Sequence, residues 1–522
     1  MKFFNRTLTI STFLILSIAL WAAQTVSLTV LHTNDTHGHL MPFSYPSFAI
    51  AGSPEAALSS RSDIGGIARR ATLANQIKKQ VAKAGGTAWL VDAGDFCDGT
   101  SFSIVYHGEA DVAAMNAAGY DFGTVGNHEF NNTLLEFEKV IGMAKYKIVC
   151  ANAIRTRGTT QLMTPYVIRK VGNMKIGIFG LVTSGAASYP AAVEGVTISD
   201  GVDTARRVVN ILRQEVDVVM LISHSGSEVD KVIAKNVPGI DVIVGGHSHT
   251  RLPKGEFEQC ENPPNDIDIC GTIIVQAFQW GGELGRLDLV FEERNGFWHV
   301  KKYQEKLLPI TSRIVPDPKV TQVLNKYWKP ISAKYGEVLG KATDDFQTRG
   351  GDNAEYNLVA DAVRETFGTD FEVENEGGVR APLPKGKITK GDLAMMDPFD
   401  NTVITFSMKG YQIKTLILKT QPAVSGLRYR LMKGLISEIT INGQPLEDEK
   451  TYTGATNSFF AKSFLNAYPF TDTGKGRLDT LVNYVRKKGT ISPRYDGRRV
   501  ITTKPAASAV PAFPMRWAMA IN

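Results

Sequence analysis

The sequence predicts an α/β protein of two domains, and three observations carry that prediction. The chain has 522 residues, whereas one hydrophobic core stops growing at roughly 250 to 300 residues. Between residues 27 and 291, short apolar runs alternate with longer amphipathic stretches, which is typical of strands and helices layered in an α/β domain. Beyond residue 291 prolines interrupt the pattern, and a second set of strand-like runs begins near residue 340.

Composition and charge exclude several classes of protein. Hydrophobic residues make up 43% and charged residues 21% of the chain, with 48 glycines, so disorder, collagen and coiled coil are disfavoured. The net charge is +6, and no Lys/Arg stripe is interleaved with aromatic residues, so we expect no nucleic-acid partner. A mildly basic balance favours a small anionic molecule as the partner, and we infer no stable protein partner.

The N-terminus predicts export. Lys2 and Arg6 precede an apolar run at residues 8–22, which is the pattern of a secretory signal. We expect residues 1–23 to be a signal peptide and the mature chain to be periplasmic, secreted or on the cell surface. An uncleaved anchor is the alternative, although the run is shorter than the ~20 residues of a spanning helix.

The four cysteines are too few to hold a chain of this length together by disulfides. Cys260 and Cys270 flank a polar stretch that contains two prolines, and a small loop disulfide there suits an oxidising compartment. Cys97 and Cys150 are expected to be buried thiols, because no second cysteine lies at ligand spacing from either.

Apolar runs in the first domain, residues 24–310, end abruptly in polar residues and glycine. Five of them matter most, at residues 26–31, 88–91, 122–125, 216–222 and 240–244. A short apolar run that ends in a polar turn predicts a buried strand that delivers its loop to the edge of a sheet. The amphipathic stretch at 66–83 predicts a helix between two of these strands.

The remaining elements predict a linker and a second domain. Residues 320–327 have a helical pattern inside a proline-punctuated linker at 311–340. In the second domain, residues 341–503, strands are predicted at 403–408 and 435–441 and helices at 356–367 and 412–419. Residues 504–522 are rich in Ala and Pro, and we expect a poorly ordered tail.

The segments that follow the five strands carry metal ligands by residue type. They are Asn-Asp-Thr-His-Gly-His at 34–39, Gly-Asp at 94–95, Gly-Asn-His-Glu at 126–129, Ser-His at 223–224 and Gly-Gly-His-Ser-His at 245–249. Asp, Asn and His together suit Zn, Mn or Co, whereas an all-carboxylate set suits Mg or Ca. Seven of the nine histidines lie in or beside these segments, while a structural zinc needs four ligands and usually uses cysteine. For His32 and His39 taken singly, a structural role stays equally open.

This ordered set of motifs resembles the calcineurin-like metallophosphoesterases, and more closely the 5'-nucleotidase and UDP-sugar hydrolase family. Residues 31–38 and 65–69 resemble the first motifs of that family, and 375–380 resemble the N-x-GG-x-R segment of its C-terminal domain. The resemblance runs from about residue 27 to 502. It implies an α/β fold, a four-layer α/β/β/α metallophosphoesterase sandwich, followed by a C-terminal α+β substrate-recognition domain.

The family pattern implies two divalent metal ions that share one ligand. Its ligand positions fall on Asp35, His37, Asp95 and His249 for one ion and on Asp95, Asn127, His224 and His247 for the other, with Asp95 bridging. We expect Zn, Mn or Co, and Mg is also compatible. Two such ions clamp the phosphoryl group and lower the pKa of a bound water, so that hydroxide attacks phosphorus in line.

The resemblance also implies roles around the reacting phosphate. His128 would meet the phosphoryl oxygens and stabilise charge in the transition state. The family pairs this histidine with an Asp three residues on, but that position is Asn131 here, and Glu129 is the nearest carboxylate in sequence. An Asn orients an imidazole but stabilises imidazolium less well, so the rate or pH optimum is expected to differ.

In the second domain the resemblance implies a substrate pocket. Arg380, with Arg349 and Asn375, would meet phosphate or carboxyl-like groups, and Phe399 and Phe459 would stack on the two faces of a base. On general grounds a surface role for Arg349 and core packing for either phenylalanine are the alternatives. After Phe459 the family runs into a GGDG-like turn that residues 461–468 lack.

These features predict an exported dinuclear-metal phosphohydrolase that removes phosphate from 5'-nucleotides. A second interpretation keeps the ions but changes the substrate to a UDP-sugar, a 2',3'-cyclic nucleotide or a non-nucleotide ester, which the altered loop after Phe459 favours. A non-catalytic exported binding protein would have lost ligand positions, and none is lost. A sulfur-compound hydrolase on the same scaffold is the remote option, since a fold does not fix the chemistry.

Overall fold

The computed structural model describes residues 24–43, 45, 63–157, 162–260, 271–294, 296–346, 348–349, 352–375, 377–379, 383–399, 401–432 and 434–502. The predicted signal peptide at 1–23, the predicted tail at 504–522, Cys270 and Arg380 therefore lie outside the described residues. For Arg349 the backbone alone is described.

The first domain contains two six-stranded sheets. The strands of the first sheet are, in spatial order, Phe297–Pro309, Glu283–Arg294, Thr25–Thr33, Thr87–Asp92, Phe122–Gly123 and Lys147–Ile148. Those of the second are Glu256–Gln259, Gly271–Val275, Val242–Gly245, Val218–His224, Met174–Val182 and Tyr166–Val171. The central strands of each sheet run parallel, so their carboxyl ends lie at one edge.

Alternating side chains build the layers of this domain. Leu28 and Val30 point from the first sheet into a core shared with Ile178 and Met220 of the second sheet, because successive residues of a strand face opposite sides. Leu31, the residue after Val30, faces the other side of the sheet and packs with helices on the outer face. The outer face of the second sheet is covered in the same way, which gives the predicted order of helix, sheet, sheet and helix.

The helices of the first domain cover these two outer faces. They are Ile67–Lys83, Ser101–Tyr106, Glu109–Ala118, Leu134–Gly142, Pro190–Gly195, Gly201–Leu212 and Ser227–Asn236, with 3-10 turns at His128–Asn131 and Ser184–Ser188. Two short pairs of strands lie beside them, Pro42–Phe43 with Ile64–Gly65 and Ala153–Arg155 with Val196–Ile198. The helix expected at 66–83 and all five strands that carry predicted ligands are confirmed.

The linker helix is longer than the sequence predicts. It spans Pro318–Tyr335 and passes through Pro330, although an interior proline removes a helical hydrogen bond. Its apolar stripe, which includes Leu324 and Ile331, is buried in the core of the first domain. Packing of that stripe on both sides of the proline is the reason the helix continues.

The second domain is of the α+β type. Its five-stranded sheet has the order Ala423–Ser425, Phe371–Glu374, Thr451–Asn457, Thr402–Lys409 and Phe470–Gly476. Smaller sheets contain Gln444–Pro445, Leu435–Ile441, Leu427–Met432 and Arg499–Thr502, then Gly386–Thr389, Val338–Ala342 and Thr490–Ile491, then Thr348–Arg349 and Asp352–Asn353. The helices are Ala354–Phe367, Lys390–Met396, Gly410–Thr420, Ser458–Phe464 and Arg477–Lys488. Across the described ranges, no helix has both the length and the apolar character to cross a bilayer.

Candidate metal centre and active site

The predicted ligands come together where strand ends of both sheets meet. Hydrogen bonds between the loops fix their arrangement: the Asp35 N–H donates to the Gly94 carbonyl, and the His37 N–H donates to the Asp95 carbonyl, each at 2.9 Å. The N–H of His247, from the second sheet, donates to both carboxylate oxygens of Asp35 at 3.1 and 2.9 Å. Backbone hydrogen bonds between the loops therefore help to hold the predicted metal ligands in place.

Several ligand residues have an unusual backbone conformation. Asp35, His37, Asp95, His247 and His249 have positive φ, between 46° and 74°, a region that residues other than glycine seldom adopt. Such conformations cost free energy and persist where the surroundings enforce them, often at functional sites. The sharp turns at these strand ends point the ligand side chains toward one another.

The neighbouring glycines are required by close packing. A Cβ on Gly126 would overlap Asp95 Oδ1 and lie 2.6 Å from His224 Nε2. A Cβ on Gly246 would lie 2.7 Å from the Ala93 carbonyl oxygen and 2.9 Å from His224 Nδ1. At these two positions only a glycine leaves room for the side chains of the site.

Asp35, His37 and His249 offer ligand atoms close enough to hold one metal ion, and we call such a set a donor group. The Nε2 atoms of the two histidines face each other at 3.1 Å, and Asp35 Oδ1 lies 3.3 Å from His249 Nε2 and 3.9 Å from His37 Nε2. Burial, reinforced by His249 and His128, lowers the pKa of His37 to about 3. The His37 imidazole is therefore neutral and has a free lone pair, which is the form that binds a metal ion.

A second donor group consists of Asp95, His224 and His247. Asn127 directly precedes His128, whose N–H donates to Asp95 Oδ1 at 2.8 Å. His224 Nδ1 lies 2.7 Å from the Ala93 carbonyl, so this nitrogen carries the proton and Nε2 faces Asp95 Oδ2 at 3.0 Å. Asn127 donates from Nδ2 to the Tyr189 hydroxyl at 2.9 Å. Its Oδ1 is buried and accepts no hydrogen bond in the part of the chain that the structure describes. A buried oxygen without a hydrogen-bond donor fits the role of a metal ligand.

Asp95 lies between the two groups. Its Oδ2 is 3.0 Å from His224 Nε2 and 3.9 Å from His37 Nε2. Burial alone would raise the pKa of Asp95, but His224 and His128 hold it well below its usual value. A carboxylate that stays ionised between two sets of imidazoles fits a ligand shared by two divalent ions, and the donor set as a whole fits two such ions.

His128 forms a third possible group of metal ligands with His37 and Asp95, and its Nε2 lies 4.0 Å from Asp95 Oδ2. Its Nδ1 contacts Asp98 Oδ2 at 2.7 Å and Asn131 Nδ2 at 3.0 Å. Asn131 also donates to Asp98 at 2.7 Å. The structure therefore places Asn131 next to His128, and it adds a carboxylate, Asp98, that the sequence analysis missed.

Glu129, the carboxylate nearest to His128 in sequence, binds backbone N–H groups instead of the His128 ring. Glu129 is buried and accepts from the N–H groups of Asp95, Cys97 and Gly126 at 3.0, 3.1 and 2.6 Å. Its carboxylate thus holds the backbone of two ligand loops together. No sequence signal distinguished Asp98, which lies three residues after Asp95 in the same loop and reaches His128 only through the turn of that loop.

The two histidines of uncertain role have structural partners. His32 is buried and pairs with Glu305 at 3.1 Å, whereas His39 stacks on Trp280 with ring centroids 4.6 Å apart. Burial lowers the pKa of His39 to about 4, although its Nδ1 faces the carbonyls of Thr36 and His37. Neither residue belongs to the donor groups found among the described residues.

In the second domain the predicted pocket residues fall into connected segments. Asn375 Oδ1 accepts from Asn457 Nδ2 at 2.8 Å, and the Phe459 N–H donates to Asn401 Oδ1 at 3.2 Å. Phe399 and Phe459 are 40% and 49% exposed, so neither phenylalanine is a core residue. Their exposed faces are free to meet a ligand.

The segment after Phe459 differs from the family turn as the sequence indicates. Residues Ser458–Phe464 form a helix, and Asn457 accepts from the Phe460 N–H at its start. Phe460 and Leu465 are fully buried and anchor this helix to the core of the second domain. The anchoring explains how the segment remains ordered without the turn.

Comparisons with known proteins agree with this architecture. The family model described as calcineurin-like phosphoesterase matches residues 28–251, and the model described as the 5'-nucleotidase C-terminal domain matches residues 338–471. The first range contains every predicted metal ligand, and the second contains Phe399 and Phe459.

Whole-length relatives have the same two parts. A protein named UshA from Yersinia enterocolitica is 30% identical over 516 residues, with 88% of each chain covered. A 5'-nucleotidase from Vibrio cholerae is 27% identical over 533 residues, covering 90% of this chain and 92% of that protein. The crystal structure of a 5'-nucleotidase precursor from Thermus thermophilus superimposes with a TM-score of 0.76 at 27% identity, covering 92% of this chain and 100% of that one.

The fold and the donor groups thus define a calcineurin-like phosphoesterase, a metal-dependent hydrolase of phosphoric esters. Within that class, the chain belongs to the 5'-nucleotidase family.

Proposed function

We propose that this chain is an exported enzyme that removes phosphate from 5'-nucleotides with two divalent ions. The observation that carries the proposal is the position of Asp95, which forms a donor group with His224 and His247 and lies 3.9 Å from His37 of the other group, close to the His128 imidazole. The names of the relatives favour nucleotides as substrates. The exposed Phe399 and Phe459 supply two faces that suit a base.

In this proposal Asp35, His37, Asp95 and His249 hold one ion, and Asp95, Asn127, His224 and His247 hold the other. Zn, Mn or Co suits these donors best, and Mg is compatible with them. When bound, the ions would polarise the phosphoryl group and lower the pKa of water at the site. The Asn127 Nδ2 donates to the Tyr189 hydroxyl, which leaves the buried Oδ1 as the atom that would bind the ion.

The proposed role of His128 is to stabilise charge on the phosphoryl oxygens. Asp98 and Asn131 both contact its Nδ1, so Nε2 is the nitrogen left to meet the substrate. A carboxylate at Nδ1 favours the protonated imidazole, which is the form that neutralises negative charge. Asn131 helps to orient the ring and also holds Asp98.

Substrate recognition is assigned to the second domain, residues 341–503, which the linker at 311–340 joins to the catalytic domain at 24–310. We assign Arg349, Asn375 and Arg380 to polar groups of the substrate and the two phenylalanines to the base. Support comes from the ranges that the two family models match and from the hydrogen bond between Asn375 and Asn457.

Export to the periplasm, the medium or the cell surface is part of the proposal, with residues 1–23 as the signal peptide. Cys260 is disulfide-bonded, whereas Cys97 and Cys150 are free and buried. Cys270, the partner that the sequence predicts for Cys260, lies outside the described residues, so this pairing stays a prediction. Structural disulfides persist mainly in oxidising compartments, which supports a site outside the cytoplasm.

A second candidate keeps the metal centre and changes the substrate to a UDP-sugar or a 2',3'-cyclic nucleotide. The observation that favours it is that residues 461–468, which follow Phe459, lack the GGDG-like sequence of the family. A different loop at that point changes the room available around the base and the ribose.

The test compares four substrates, with Mn and with a chelator. For 5'-AMP and 4-nitrophenyl phosphate it measures released phosphate, whereas for UDP-glucose and 2',3'-cyclic AMP it measures the nucleoside monophosphate formed, because hydrolysis of those two bonds frees no inorganic phosphate. Metal-dependent turnover of 5'-AMP as the dominant activity is the expected result. Dominant turnover of UDP-glucose or the cyclic nucleotide would establish the second candidate. Turnover of the aryl ester alone would end the assignment of a base pocket, and no turnover with any metal would favour a binding protein.

A further inference from the structure

The segments that carry the proposed substrate-binding residues meet at one buried side chain, Arg477. Its guanidinium is 0% exposed. Nε and Nη2 donate to the Asp397 carboxylate at 2.7 and 2.5 Å, Nη1 donates to Glu374 at 2.7 Å, and Nη2 also donates to the Gly378 carbonyl at 2.9 Å. A planar guanidinium held by two carboxylates and a carbonyl has one orientation available.

The three partners of the Arg477 guanidinium lie in or beside two of the proposed binding segments. Glu374 precedes Asn375, and Gly378 belongs to the same glycine turn. Asp397 lies two residues before Phe399. Arg477 therefore joins the segment of Asn375 to the segment of Phe399.

The third segment is tied to the same ion pair through Asn457. Its Nδ2 donates to Glu374 Oε1 at 2.5 Å, and its Oδ1 accepts from the N–H of Phe460 and so caps the helix that carries Phe459. The backbone of Arg477 adds a second route, because its N–H donates to the Asn401 carbonyl at 2.8 Å. Asn401 Oδ1 in turn accepts from the Phe459 N–H.

From this convergence we infer that Arg477 is a positioning residue that sets selectivity for the base. It is too deeply buried to touch a substrate, but it fixes the separation of Asn375, Phe399 and Phe459. The inference rests on the proposed nucleotide specificity. Because both phenylalanine rings are exposed, their spacing depends on the backbone beneath them, and preorganised contacts of this kind raise affinity by lowering the entropy lost on binding.

The same domain contains a matched control in Arg498. This arginine is 5% exposed and also binds two carboxylates and a carbonyl. Its Nη1 donates to Asp361 at 2.6 Å and to the Val424 carbonyl at 3.3 Å, and its Nε donates to Asp496 at 2.8 Å. These partners lie in segments other than the three proposed for substrate binding, so R498K disturbs a similar network elsewhere in the domain.

The experiment compares wild type, R477K and R498K as full-length, Mn-loaded enzymes with similar melting temperatures. Lysine keeps the charge but cannot form the bidentate pair. In R477K the ratio of kcat/KM for 5'-AMP to kcat/KM for 4-nitrophenyl phosphate should fall about tenfold, through a raised KM for 5'-AMP, because the pocket loses its fixed geometry. In R498K the ratio should stay at the wild-type value.

A wild-type ratio in R477K would overturn the inference while leaving the nucleotide assignment intact. A wild type without preference for 5'-AMP would instead end the proposed specificity, and this inference with it, before any variant is measured. If R477K does not fold, Asp397→Asn serves in its place, because it weakens the bond to the Phe399 segment and keeps the ion pair with Glu374. An unchanged ratio in D397N would overturn the inference equally.

Discussion

At the scale of single residues, the surroundings of His128 differ most from what the family motif implies. Asn131 occupies the position of the family's Asp, yet a carboxylate still lies 2.7 Å from His128 Nδ1, because Asp98 supplies it from another loop. Asn131 contacts both His128 and Asp98. A negative charge therefore still lies next to the His128 imidazole, although the motif position that carries it in the family is the neutral Asn131 here.

We expect Asp98→Asn to lower kcat for 4-nitrophenyl phosphate by about tenfold to a hundredfold, because an amide stabilises imidazolium less well than a carboxylate. Adding Asn131→Asp to this variant should restore most of the lost rate, since a carboxylate then reaches the same nitrogen from the neighbouring position. Steady-state kinetics with saturating Mn measure both effects.

The matched control for that experiment is Asp203→Asn, which removes a carboxylate from the exposed first turn of a helix. It should keep the wild-type kcat. An unchanged kcat in D98N, or a double variant no faster than D98N, would show that Asp98 does not support His128.

At the scale of elements, the loops at the strand ends bring the donors into one site. The strands Phe122–Gly123 and Val218–His224 belong to different sheets, yet Gly126 after the first lies against His224 at the end of the second. The close packing of these loops therefore limits the space around the metal ligands Asp95 and His224.

Gly126→Ala should lower the metal content from about two ions per chain to one or fewer, because the added Cβ overlaps the oxygen of Asp95, the ligand that two ions would share. Elemental analysis of protein purified in the presence of Mn measures the content. Gly142→Ala is the matched control, since a Cβ there meets nothing within 4 Å. Two ions in G126A would contradict the expected crowding.

The sequence predicted these elements because their pattern is local. Each ligand strand is an apolar run that ends in a polar turn, and periodicity alone identified the helix Ile67–Lys83. The contact of Asp98 with His128 could not be predicted in this way, because it depends on how two loops turn toward each other. The continuation of the linker helix through Pro330 was missed for a similar reason, since buried contacts on both sides override the local effect of the proline.

The metal ligands were predictable from residue type and motif, whereas the network under the substrate pocket was not. Nothing in the sequence marks Arg477 as a fully buried residue, because arginines at the start of a helix are usually exposed. Its burial follows from partners about 80 and 103 positions away in the chain. Such long-range pairing is set by the fold of the whole domain.

At the scale of the whole molecule, buried acids make stability depend on pH. Glu355 is 3% exposed, and burial raises its pKa from 4.5 to about 7. Its Oε2 accepts no hydrogen bond in the described part of the chain. The protonated form is the one that suits the folded state, so the stability linked to Glu355 is complete below about pH 4.5 and is lost as the pH rises through about 7.

We therefore expect Glu355→Gln to lose less stability than wild type between pH 5 and pH 8. The difference should approach about 3 kcal/mol, the free energy that corresponds to a shift of this size. Urea unfolding at the two pH values measures it. Glu228→Gln, on the surface, should behave as wild type, and parallel pH profiles for E355Q and wild type would refute the assignment.

The stacking of the two sheets also has a consequence for the order of folding. His37 and His249 are 212 residues apart in the chain, yet their Nε2 atoms face each other, and the strands that deliver them belong to separate sheets. Contacts of such long range form only after the intervening loop has closed and the sheets have docked. The complete set of metal ligands therefore exists only in the folded domain, so the binding of two ions would follow the docking of the sheets rather than direct it.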